Sequence, residues 1–199
     1  TEIKKRKKNI FIIWGGIHAS VFPDHAIEYA DAVCIGEGEK AFLDLLQKLV
    51  SGEKMNDAQN FWIKNNNQIR KNKPLPLMDS NQMSKMPFQD YGFDIYEVTH
   101  KHIIKLSKKL YFLEQGTKYT TIWSLGCPFK CSYCSNSRFI SNNRENAIIR
   151  YAPPAYIIEE LKNVLKEHNY IRYIEFEDDN FMSINEKDIE QFSELYLRN

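Results

Sequence analysis

The sequence predicts an α/β fold in two successive strand–helix blocks, and three observations carry that expectation. A continuous apolar run at 10–14 ends at Gly15 and Gly16, as a buried parallel strand ends in a tight turn. A short second run, 32–35, leads into a helix whose apolar residues Phe42, Leu45, Leu46, Leu49 and Val50 recur at three- and four-residue spacing until Gly52. From 119 the rhythm returns: a β-rich run at 119–123, a helix opened by Pro153 and Pro154, and a strand over 173–176. The first block reads as Rossmann-like and the second as the βαβα start of a parallel barrel.

The elements follow in chain order. Lys4 to Lys8 is a basic run read as the solvated last turn of a helix, where cations suit the dipole. Pro23 and Asp24 start a short helix, Asp24 being an acid suited to its first turn. Cys34, within the apolar strand, is read as a buried small residue. Two strands are few for such a sheet, so the first domain is expected to be partial. Residues 60–64 and 68–70 flank Asn65, Asn66 and Asn67, a β-hairpin pattern. The proline-bearing stretch 73–88 reads as an extended linker. In the second block Ile157, Ile158, Leu161, Val164 and Leu165 form one helical face, and Ile189, Phe192, Leu195 and Tyr196 another. The expected organisation is therefore 1–52 partial Rossmann-like, 53–118 hairpin and linker, and 119–199 the opening of a barrel.

Bulk properties exclude several classes. The 199 residues are 43% hydrophobic and 27% charged, the composition of a globular protein, and the net charge of +1 argues for no nucleic-acid partner. No apolar run approaches the roughly 20 residues that span a bilayer. Three of the four cysteines are clustered, which excludes a secreted disulfide framework and points to a reducing cytoplasm.

Those three cysteines, Cys127, Cys131 and Cys134, carry the chemistry. Iron–sulfur clusters normally take four cysteines. Three on one short loop can hold a [4Fe–4S] cluster and leave one iron open, much as catalytic zinc sites keep a vacant position. The alternative is a structural zinc site completed by His100, His102 or His168. Zinc knuckles more often use paired C-x2-C, so the cluster reading is preferred. In α/β barrels the active site lies at the C-terminal ends of strands. The cysteine loop and the acidic turn Asp178–Asp179 follow consecutive barrel strands, which places them on one face.

The C-x3-C-x2-C triplet with aromatic Tyr133 before its third cysteine resembles the cluster loop of the radical S-adenosylmethionine (SAM) enzymes. The segments 13–23 and 31–39, with Gly15–Gly16 and Gly36-Glu37-Gly38-Glu39, resemble the later half of the cobalamin-binding domain that precedes many such barrels. The resemblance implies a [4Fe–4S] cluster on Cys127, Cys131 and Cys134, with SAM as cosubstrate cleaved to a 5′-deoxyadenosyl radical. It implies that Tyr133 contacts adenine and that Asp178 and Asp179 contact the SAM amine or ribose. It also implies a cobalamin crevice at Gly15, Gly16, Gly36 and Glu37, although the family's earlier aspartate–histidine–glycine cobalamin motif is expected upstream of Thr1. His18 is read as a polar loop residue of that crevice. Methyl transfer to an unreactive carbon of a small molecule is the implied reaction, with flavodoxin or ferredoxin as electron donor. A tRNA methylthiotransferase shares the triplet but carries three further cysteines, and residues 1–118 offer only Cys34. A zinc-binding module is the non-enzymatic rival.

Overall fold

The structure, a computed structural model, describes residues 2–65, 68–89, 96–105, 107, 110, 112 and 116–199. The chain forms two compact units, one of residues 1–78 with 129–147, the other of 79–128 with 148–199.

The first unit is built on a four-stranded sheet in the order β1-β2-β3-β4: Ile13–Trp14, Ala32–Cys34, Phe61–Asn65 and Gln68–Lys71. β1 and β2 are parallel, with Ile13 opposite Ala32, whereas β2 and β3 are antiparallel, with Val33 opposite Trp62. The hairpin foreseen from the sequence thus joins the Rossmann-like sheet, because β2 would otherwise present an unpaired edge. Its turn residues 66 and 67 lie outside the described residues.

Two expectations need correction. The 10–14 run is not a fully buried strand. Only Ile13–Trp14 pair, both half-buried, and Ile10 and Phe11 are exposed, since β1 has a single neighbour in this sheet. The helix α4 (Glu39–Ser51) forms as expected and stops at Gly52 in the left-handed region. Its buried face is narrower than its apolar stripe, however. Ala41 and Leu45 are buried against Ala58 and Phe61, while Phe42, Leu46 and Leu49 are about 40% exposed and Val50 is 90% exposed.

Three further helices of this unit are short. α1 spans Glu2–Arg6, α2 Ile17–Val21 and α3 Pro23–Tyr29, the last with Pro23 at its first position and Asp24 in its first turn. Ala19, Ala26, Ile27 and Ala30 pack with Val33 as a second small core. α6 (Ser135–Asn142), the helix that follows the cysteines, belongs to this unit, and its Asn142 amide donates to the Ser20 carbonyl at 3.2 Å.

The second unit is a parallel βαβ unit with additions. β7 (Lys118–Thr121) pairs with β10 (Tyr173–Phe176) in parallel, Lys118 opposite Tyr173 and Thr121 opposite Phe176. Between them runs α7 (Pro154–Glu167), which buries Ile157, Ile158, Leu161 and Val164, and β10 is followed by α8 (Glu186–Arg198). Trp123 lies between these layers against Ile157 and Ile184, its indole N–H donating to the Ala152 carbonyl at 2.8 Å. The smaller elements are α5 (Ser80–Met83), the hairpin β5–β6 (Tyr96–Val98 and Ile103–Lys105), and the pair β8–β9 (Ser124–Leu125 and Arg150–Tyr151). Asp79 and Gln82 close α5 with a reciprocal capping box. This division differs from the three segments read in the sequence, because β3 and β4 complete the first sheet and 129–147 returns to it.

Candidate functional site

The candidate residues follow strand ends in the sequence. In the second unit β7 and β10 run parallel, so the segments leaving their C-terminal ends emerge side by side. One leads through Trp123 and β8 to Gly126 and Cys127, the other to Asp178 and Asp179. Asp178 joins them. Its carboxylate accepts from the Trp123 N–H at 3.1 Å and from both the N–H and the hydroxyl of Ser124 at 2.5 Å. Both carboxylate oxygens are therefore engaged by the strand that precedes the cysteines. Asp179, its neighbour, is exposed.

Cys127 is buried, Cys131 exposed and Cys134 half-buried, and all three thiols are free. Gly126, with φ +100°, makes the sharp turn before Cys127 in a conformation that L side chains rarely adopt. In the first unit Cys134 is the N-cap residue of α6, and its N–H donates to the Cys131 carbonyl at 3.1 Å. The same carbonyl accepts from the Ser137 hydroxyl, so one turn of backbone fixes Cys131 against the helix start. A helix N-terminus presents the positive end of its dipole, which suits an anionic group. Tyr133, between the two cysteines, is 91% exposed. Among the described residues no three or more His, Cys, Asp or Glu side chains are gathered as a metal-holding set. What fits a cluster here is the donor chemistry, three free thiols within eight consecutive residues. His168, a candidate fourth zinc ligand, is buried in the second unit with its Nδ1 at 3.1 Å from the Tyr170 hydroxyl.

The four residues expected to line a crevice lie in the first unit. Gly16 (φ +90°) and Gly36 (φ +79°) both hold conformations costly to any other residue, and a Cβ on either would meet open space. The glycines are thus required by the backbone and leave the surface above them clear. Gly15 differs: a Cβ there would make ordinary contact with Cys34 at 3.6 Å. Ser20 connects the two turns, its hydroxyl donating to the Gly16 carbonyl at 3.0 Å and accepting from the Gly36 N–H at 2.9 Å. Glu37 faces the 73–78 stretch, accepting from the Met78 N–H at 2.8 Å, while its carbonyl accepts from the Asn60 amide at 2.7 Å. Asn60 in turn accepts from the Leu75 N–H at 2.5 Å. The expected linker is therefore pinned along its first half. A pocket of about 420 Å³ opens here, lined by Ser20, Gly36, Glu37 and Trp62 together with Arg138 and Asn142 of α6.

The sequence reading passed over Ser20 and Asn60. Asn60 carried a signal, since asparagine tolerates left-handed backbone and it adopts φ +65° before β3. Ser20 carried none. His18 also needs correction: it stands in the helix α2, not in a loop, because the backbone turns helical immediately after Gly16.

Comparison with known proteins agrees with this architecture. No family model matches the chain. It is 29% identical over 189 residues to an uncharacterized methyltransferase of Pyrococcus horikoshii, covering 92% of this chain and 36% of that protein. Among solved structures, the radical S-adenosylmethionine methyltransferase TsrM of Kitasatospora setae, with cobalamin and a [4Fe–4S] cluster bound, superposes with a TM-score of 0.67 at 16% identity. That match covers 99% of this chain and 36% of TsrM. OxsB, a cobalamin-dependent S-adenosylmethionine radical enzyme with aqua-cobalamin and S-adenosylmethionine bound, gives 0.68 at 17% identity over 100% of this chain and 26% of its own. The chain has the fold of a segment of the cobalamin-dependent radical SAM enzymes. It spans about a quarter to a third of the length of the curated relatives it matches.

Proposed function

We propose that the chain is the cluster-bearing part of a radical SAM enzyme of the cobalamin-domain type, with methyl transfer to a small-molecule carbon as its reaction class. The observation that carries this reading is the C-x3-C-x2-C triplet following the β7–β8 segment, with Asp178, two residues past the end of β7's parallel neighbour β10, clamped to Trp123 and Ser124 of that segment. The fold shared with TsrM and OxsB supports it.

Cys127, Cys131 and Cys134 would hold the iron, and the missing fourth thiol leaves one position for SAM. A [4Fe–4S] cluster held there would, when reduced, supply the one-electron chemistry that cleaves SAM. The protein's part is placement. Asp178 fixes the strand entering the loop, and Ser137 and the α6 N-terminus fix its far side. Tyr133 offers an exposed ring to the adenine, and Asp179 offers a carboxylate to the amine or ribose. Asp178 acts through the backbone it holds, so its part in SAM binding is one of positioning. Gly16 and Gly36 keep a clear surface for a cobalamin, and an electron donor of the flavodoxin or ferredoxin kind completes the cycle.

Anaerobic loading with iron and sulfide, followed by iron determination and assay of 5′-deoxyadenosine from SAM, tests the reading. The parent protein is expected to bind about four irons, and Cys131→Ala is expected to lose both the iron and the nucleoside product. Undiminished 5′-deoxyadenosine from Cys131→Ala would falsify the assignment. Among the described residues no helix is long and apolar enough to cross a membrane.

A further inference from the structure

We propose that His18 and His25 form a chelating site for a divalent transition-metal ion on the first unit, separate from the cysteines. His18 Nε2 and His25 Nδ1 stand 3.0 Å apart, with ring centroids at 5.2 Å and planes at 80°. Two imidazole nitrogens bound to one ion at about 2.0–2.1 Å are separated by about 3.0–3.4 Å, so the observed spacing already matches a coordination edge. Without metal the pair must share a proton, one ring donating and the other accepting. An ion takes the place of that proton after small ring rotations.

The scaffold favours this arrangement. His18 is on α2 and His25 on α3, and the two helices are anchored beneath by buried Ala19, Val21, Ala26 and Ile27. Trp14 stacks on the His18 ring, centroids 5.2 Å apart and planes 18° from parallel, and Tyr29 packs against His25. Both histidines are exposed, so water can complete the coordination shell. Asp24, adjacent to His25 in sequence, is paired with Lys71 at 3.1 Å and is not counted as a ligand. Neutral imidazoles suit zinc, nickel and copper, with Cu²⁺ binding most tightly. Cys34, the remaining cysteine, is buried in β2, where burial and the nearby Glu39 charge push its thiol up to about 11.

Cu²⁺ is the probe, used on the full chain with Cys127, Cys131 and Cys134 changed to alanine so that no cluster thiol contributes. One Cu²⁺ should bind per chain at micromolar concentration, quench the fluorescence of Trp14, and show two-nitrogen splitting in its electron paramagnetic resonance spectrum. His18→Ala and His25→Ala should each weaken binding at least tenfold, and Trp14→Phe should remove the quenching while leaving binding intact. Because both rings are exposed, the alanine variants keep the core, and His25→Gln with circular dichroism checks this independently. Binding that is unchanged in either alanine variant, or that appears only at millimolar Cu²⁺, overturns the proposal. The outcome does not depend on iron or SAM, so it stands apart from the reading of the cysteines.

Discussion

Asp31 illustrates how one side chain ties chain segments together. Its carboxylate accepts from the Lys4 ammonium at 2.5 Å and from the Ile12 N–H at 2.8 Å, while its own N–H donates to the Ile12 carbonyl at 2.9 Å. Burial opposes its charge, but the Lys4 and Ile12 hydrogen bonds outweigh that and hold the carboxyl below its ordinary value. A depressed folded-state value contributes stability that is fully present above the unfolded value of about 3.9 and is lost as pH falls through the folded one. Asp31→Asn should therefore lower the stability of the first unit by about 1 kcal/mol at neutral pH, a partly exposed pair being worth no more. The gap should close on acidification below about pH 3. Urea titrations followed by tryptophan fluorescence at pH 7 and pH 3 would measure it, and a gap that stays constant would refute the linkage.

At the scale of elements, the helix α7 shows both what the sequence conveyed and what it withheld. The positions 157, 158, 161 and 164 were legible as one apolar face and are buried, whereas Leu165 at the edge of that face is 39% exposed. Glu160, in the same arc, reads as a solvent residue by its charge, yet it is 5% exposed. The reason lies on another element. Tyr119 and Thr121 point from the same face of β7, and both hydroxyls donate to one Glu160 oxygen, at 2.8 and 2.7 Å. A charge is buried because it is hydrogen-bonded, and that partnership spans 39 to 41 residues of sequence. The same holds at the candidate site. Cysteine spacing was readable locally, but the clamp of Asp178 on Trp123 and Ser124 crosses some 55 residues, and the Ser20 bridge depends on two glycine turns meeting. Glu160→Ala should remove the shared acceptor of two buried hydroxyls and lower stability by about 2–4 kcal/mol. Glu160→Gln keeps an acceptor and should cost less than half of that. Trp123, buried in this unit, is the fluorescence probe for the unfolding midpoint. Equal losses in the two variants would refute the assignment of the loss to the missing acceptor.

For the molecule as a whole, charge and exposed apolar surface act together. The net charge is +1 and the isoelectric point about 7.6, so copies of the chain repel one another weakly at neutral pH. At the same time α4 exposes a stripe in which Leu43 is 57% and Val50 90% accessible. Apolar attraction depends little on pH, whereas net repulsion is smallest near the isoelectric point. Association should therefore peak near pH 7.6 and decline on both sides, as net positive charge builds below it and net negative charge above it. Added sulfate should strengthen association, because it favours burial of apolar surface. Val50→Glu places a charge within the stripe and should lower the light-scattering maximum severalfold without altering the fold, since that side chain already faces water. If Val50→Glu scatters as strongly as the parent across the whole pH range, α4 is not the surface through which copies of the chain meet.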